Sequence, residues 1–152
     1  MTDEHYMQEA IRLAKSGAAL NEVPVGAVIV YQGEIISRAN NANITASDST
    51  AHAELIAIRE ACQTLNQKRL DGAVIYVTKE PCPMCAGAMV LAHIDRLVFG
   101  VSDPKSGAAG SVLNIVNHPQ LNHRIEIITS VLESECRELI QGFFRQLRNK
   151  TQ

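Results

Sequence analysis

Tyr6, Met7, Ala10, Ile11 and Ala14 recur at spacings of three and four, which predicts an amphipathic helix from Asp3 to about Ser16 with Gly17 as its stop. Val23 to Val30 is a short apolar, β-branched run and predicts a buried strand. Gln32-Gly33 is a hairpin signal, so Glu34 to Ala39 is expected to pair back as a second strand. Asn40 to Thr50 is polar, rich in Asn, Ser and Thr, and reads as a loop. Ser49 or Thr50 is then placed to cap a helix from about Ala51 to Leu65. Ala73–Thr78 reads as a third strand and Pro83 as the first residue of a helix reaching about His93. Ile94–Gly100 reads as a fourth strand, Val101–Gly110 as a loop, and Ser111–Val116 as a short helix. Arg124–Ser130 is expected as a fifth strand and Leu132 to about Asn149 as a closing amphipathic helix. Strands alternating with helices imply an α/β fold, a three-layer α/β/α sandwich with helices on both faces of one sheet. The hairpin makes that sheet mixed.

Composition narrows this picture. The 152 residues fit one domain, spanning 1–152, and 46% hydrophobic content supports a sizeable core. Aromatics are only 4%, without Trp, so the core must be aliphatic. The net charge of −2 does not mark a bulk polyanion binder, although Arg137, Arg145, Arg148 and Lys150 make the last helix locally basic. On charge alone that tail is a solvated helix face. The N-terminus has no apolar h-region and no run is long enough to cross a bilayer, so a soluble, cytoplasmic protein without a membrane partner is expected.

Four cysteines in such a chain suggest metal or reactive thiols rather than a disulfide framework. Cys62 and Cys136 fall in amphipathic patterns and read as buried apolar residues. Cys82 and Cys85 are different. They stand three apart at a helix start, so their side chains share a face, and the helix N-terminus favours their thiolates. Upstream, His52-Ala53-Glu54 lies at the start of the preceding helix. One imidazole and two thiolates give zinc three ligands. Structural zinc sites close with four, whereas catalytic sites leave a position for water. Glu54, two residues from the histidine, is placed to move that water's protons. Read alone, Cys-x-x-Cys also fits a redox pair and His-x-Glu is a weak signal; together, each after a strand-loop pattern, they point to catalytic zinc.

These residues resemble the zinc-dependent cytidine/deoxycytidylate deaminase superfamily, whose members pair a His-x-Glu with a Pro-Cys-x-x-Cys. The likeness continues through Glu22–Ala27, Thr50–Glu54, Glu80–Ala88, Asp103–Ser111, Asn122-His123-Arg124 and Phe143-Phe144-Arg145. It is most similar to the branch that acts on adenosine in bacterial tRNA. That resemblance implies a cytidine deaminase-like fold on a five-stranded mixed sheet. It implies zinc, one ion per subunit, held by His52, Cys82 and Cys85, with Glu54 as the proton shuttle. Activated water would replace the adenine amino group, leaving inosine at the wobble position of a tRNA anticodon. Asn41 and Ala53 would bind the flipped nucleoside, and Asp103 would meet the neighbouring nucleotide. Lys105, Ser106, Phe144, Arg145 and Arg148 are further candidates for RNA contact. The partners implied are the tRNA anticodon stem-loop and a second subunit in a homodimer.

Two other readings remain open at this stage. One is a deaminase of free guanine, cytosine or deoxycytidylate, which needs no RNA surface. The other is a zinc-stabilised RNA-binding module without catalysis, in which Glu54 is dispensable.

Overall fold

The computed structural model describes residues 1–150. It opens with helix α1 (Asp3–Ala18), where Thr2 caps the first turn by accepting the His5 amide at 3.2 Å. The stripe Tyr6, Met7, Ala10, Ile11 and Ala14 is buried, as its spacing predicts. Strands β1 (Gly26–Tyr31) and β2 (Glu34–Asn40) form the expected hairpin. Its turn puts Gln32 at φ 51° and Gly33 at φ 79°, the two positive values that a tight, right-twisted hairpin requires. Then follow α2 (Ala53–Leu65), β3 (Val74–Lys79), α3 (Pro83–Leu91), β4 (Arg96–Val101), β5 (Glu126–Ile128) and α4 (Glu133–Lys150).

The strands make one sheet in the order β2-β1-β3-β4-β5. β1 runs antiparallel to β2 and β3, whereas β3-β4 and β4-β5 are parallel, so the sheet is mixed. Alternating residues feed two separate cores. Ala27, Ile29, Ile75, Val77, Leu97 and Phe99 face α2 and α3. Val28, Val30, Tyr76 and Val98 face α1 and Cys136 of α4. That is the three-layer sandwich expected from the alternation of elements. Gly26 makes the close contact of α1 with the sheet: a Cβ there would lie 1.9 Å from the Ala10 carbonyl oxygen.

Several boundaries differ from expectation. β1 starts at Gly26, because Val23–Val25 lies outside the ladder and turns into the site described below. α2 starts at Ala53 rather than Ala51, and neither Ser49 nor Thr50 caps it. Thr50 instead donates its hydroxyl to Asp48 at 2.7 Å, and His52 occupies the cap position in an extended conformation. Ser111–Val116 is not a helix: Ala109 and Asn114 form an isolated bridge and Ser111 is tied to Glu80. β5 is only three residues long, shorter than the Arg124–Ser130 expected, and pairs with β4 alone. Cys136 is buried as expected, but Cys62 is only half-buried. Among the described residues no helix is long and apolar enough to cross a membrane.

Candidate metal and nucleoside site

The parallel strands β3 and β4 end side by side, and ligand sites form at such carboxyl ends. Glu80, Pro81 and Cys82 follow β3 directly, and α3 begins at Pro83, a residue whose fixed φ suits a first helical position. Cys82 is therefore the cap residue of α3, just as His52 is the cap residue of α2. Two extended cap residues leave their side chains free to turn toward one another across the ends of the helices.

They do so. His52 Nδ1 lies 3.5 Å from Cys82 Sγ and 3.5 Å from Cys85 Sγ. A tetrahedral zinc with bonds of about 2.1 Å to nitrogen and 2.3 Å to sulfur separates such ligand atoms by roughly 3.6 Å. The ligand atoms of His52, Cys82 and Cys85 all fall within 4.8 Å of one another, and among the described residues no other such group forms. The donor set thus fits zinc in both type and spacing. In the thiol forms, the hydrogen bond from Cys85 lowers the Cys82 thiol to about 5, while the same bond and burial push Cys85 upward. One thiolate is preformed, and the second proton must leave when a metal enters.

Glu54 stands in the first turn of α2 and is 4% exposed. Burial raises its carboxyl to about 7, with the backbone hydrogen bond opposing and the Cys82 charge adding. It lines a cavity of about 250 Å³ together with Val25, Asn41, His52, Lys79, Cys82, Asp103, Ser106 and Phe144. Asn41, 8% exposed, accepts the Ala53 amide on Oδ1 at 2.8 Å. That bond fixes the orientation of the carboxamide: with its oxygen committed to the backbone, its NH2 is presented to the cavity. It also engages the Ala53 N–H, the polar group of the other nucleoside-binding candidate.

Asp103 is held by the Lys105 amide (2.9 Å), the Ser106 amide (3.3 Å), the Ser106 hydroxyl (2.7 Å) and Lys79 Nζ (3.1 Å). Burial alone would raise its pKa, but these hydrogen bonds and the lysine outweigh that and leave it at about 2. A folded-state value below the unfolded one, about 3.9, stabilises the protein above pH 4, and the contribution is lost as pH falls through 2. Asp103→Asn is therefore expected to flatten the fall in melting temperature between about pH 4 and pH 2, measured by calorimetry.

Of the remaining candidates, Ser106 and Phe144 line the cavity that holds Glu54. Lys105 lines an adjoining groove of about 690 Å³ between the 101–106 segment and α4. Arg145 pairs with Glu138 on the exposed face of α4, and Arg148 is exposed near the end of the same helix; neither lines the cavity.

Two structural carboxylates carry no signal in hydrophobic periodicity. Glu22, 1% exposed, accepts the amides of Ile44 (3.1 Å) and Thr45 (2.7 Å) and the Thr45 hydroxyl (2.7 Å), which fixes the polar loop beside Asn41. Glu80, 3% exposed, accepts the amides of Asp103 (3.0 Å), Ala109 (3.0 Å) and Ser111 (3.1 Å) and the Ser111 hydroxyl. Its carboxylate packs onto Gly107, where a Cβ would lie 2.4 Å away. The signal available was position: both are lone acids bordering motif segments, Glu80 directly before Pro81. Glu80→Gln would turn an amide NH2 toward backbone donors, and hydrogen bonds to buried charges are worth about 1.5–3 kcal/mol each. We expect a loss of about 2–3 kcal/mol by denaturant titration.

The MafB19-like deaminase family model matches residues 1–148. The tRNA-specific adenosine deaminase of Bacillus subtilis is 51% identical over 148 residues, covering 97% of this chain and 92% of that protein. The Aquifex aeolicus protein of the same description is 48% identical, covering 98% of each. A solved structure from a study of A-to-I editing by tRNA deaminases at the wobble position superposes with a TM-score of 0.86, at 44% identity, covering 89% of this chain and 98% of that one. A guanine deaminase from Nitrosomonas europaea shares the fold at 22% identity, with a TM-score of 0.80, covering 92% of this chain and 83% of that one.

Proposed function

We propose a function from one premise: this chain belongs to the MafB19-like deaminase family and, within it, groups with the tRNA-specific adenosine deaminases. It hydrolyses adenosine to inosine at the wobble position of a tRNA anticodon, as one deaminase domain over residues 1–152. The observation that carries this reading is Glu54, buried in the same cavity as His52 and Cys82, where Cys85 completes a three-residue donor set.

His52, Cys82 and Cys85 would hold one zinc ion per subunit. When bound, zinc supplies the Lewis acidity that makes water a competent nucleophile near neutral pH. Glu54 takes a proton from the attacking water and delivers protons to the purine ring and to the departing amine. Adenosine and water thereby become inosine and ammonia. Asn41, with its carboxamide oxygen tied to Ala53, offers its NH2 to the acceptor atoms of the purine edge and orients the base over Glu54. Asp103 and Ser106, in the turn that borders the cavity, meet the adjacent nucleotide. Phe144 supplies an aromatic surface at the mouth for an unstacked base. Lys105, Arg145 and Arg148 lie farther out, where backbone phosphates would pass. A cytoplasmic homodimer is part of the same proposal. Exposed Leu91, Val112 and Leu113 are apolar surface that a second copy would cover.

Sequencing tRNA from cells depleted of this protein tests the reading. Inosine at the wobble base is read as guanosine by reverse transcription, and the expected result is its loss from the affected tRNAs. Unchanged wobble inosine after full depletion would contradict it.

A further inference from the structure

Lys79 is the last residue of β3, and its side chain reaches the junction between the catalytic cavity and the groove beside α4, lining both. Its ammonium is paired with Asp103 at 3.1 Å, and the side chain as a whole is 30% exposed. Asp103 does not depend on that pair for its position, because three hydrogen bonds from Lys105 and Ser106 already fix it. An ammonium has three donors, and a single carboxylate oxygen leaves donors to spare. The groove also carries Lys105 and Arg137 against Asp103 and Glu133, and Glu133 is already bound to Arg137 at 2.6 Å. A strand end at the junction of cavity and groove, an ammonium with donors left over from its one ion pair, and a groove leading outward together fit a polyanion threading past the reactive site.

Resting on the function proposed above, we propose that Lys79 is a specificity residue that binds a phosphodiester flanking the reactive nucleoside. It favours a nucleoside within a strand over a free nucleoside or base. Zinc and Glu54 treat both alike; the difference lies in a phosphate that only the strand carries, at a place where Lys79 is held within reach.

The test compares the wild type with Lys79→Met, which keeps length without charge, and Lys79→Arg, which keeps charge. Zinc-loaded proteins are assayed for inosine formation in an RNA hairpin bearing a loop adenosine, and for hairpin binding by fluorescence anisotropy over a salt series. We expect Lys79→Met to raise KM and Kd about tenfold, with a smaller change in kcat from the loss of its charge near Glu54. The slope of log affinity against log salt should become shallower by about 0.7, the value for one single-strand phosphate contact. Lys79→Arg should restore most of the affinity and the slope. Unchanged KM and salt slope in Lys79→Met would overturn the proposal. So would a rise in KM with an unchanged salt slope that Lys79→Arg does not relieve, since the lysine would then act only through the turn. Absence of inosine with the wild type would instead remove the deaminase reading, while the binding and salt data would still decide the role of Lys79.

Discussion

Glu54→Ala should lower the rate of deamination by about 10²–10⁴-fold, the range typical of a positioned acid-base group. The protein should remain folded and retain its metal. The separation follows from geometry. Glu54 is not one of the three residues whose donor atoms cluster, yet it sits in the same cavity, so its removal deletes the proton carrier without dismantling the donor set. Replacing a buried carboxylic acid by Ala also removes a desolvation cost, so no large loss of stability is expected. Single-turnover kinetics on a stem-loop RNA, with metal content measured on the same sample, gives both quantities. Full deamination in this variant would contradict the role given to Glu54, whereas RNA binding by wild type and variant alike with no deamination by either would favour the non-catalytic alternative.

His52→Ala should abolish both activity and metal binding. The imidazole Nδ1 is the only non-sulfur atom of the cluster and lies 3.5 Å from both sulfurs. Without it, two thiolates remain on one helix turn, and two ligands do not make a zinc site. We expect the metal content to fall from about one ion per chain to near zero by elemental mass spectrometry. The melting temperature should drop as well, because an ion that binds only the folded state stabilises it by mass action. Chelator treatment of the wild type should reproduce both effects, with recovery on adding zinc. A His52→Ala protein that keeps its metal would mean that the ion is held elsewhere.

The layered fold was legible because its cause is local. The α1 stripe, the Gln32-Gly33 turn and the alternating strand faces are written in hydrophobic period and turn chemistry, and each appears where those predict. The clustering of Cys82 and Cys85 was legible for the same kind of reason, since Cys-x-x-Cys at a helix start puts both sulfurs on one face; that His52 joins them is a matter of how α2 and α3 begin. What failed depends on partners far along the chain. The short helix expected over Ser111–Val116 does not form: its Ser, Asn and β-branched residues are weak helix formers, and Glu80, about thirty residues earlier, holds the Ser111 amide and hydroxyl. Thr50 is an acceptable cap by type, yet Asp48 takes its hydroxyl, and the cap position passes to His52. Arg124–Ser130 has the pattern of a longer strand, but only Glu126–Ile128 pairs with β4. Glu22, Lys79 and Glu80 are charges whose importance lies in what folds against them from distant parts of the chain.

The most direct test of the central claim is to incubate purified, zinc-loaded protein with an anticodon stem-loop bearing wobble adenosine, in water enriched in heavy oxygen. The account predicts inosine at that position alone, carrying one solvent oxygen, with one ammonia released per inosine. A fully zinc-loaded protein that forms no inosine, or that releases ammonia only from free guanine or cytosine compounds, would contradict it.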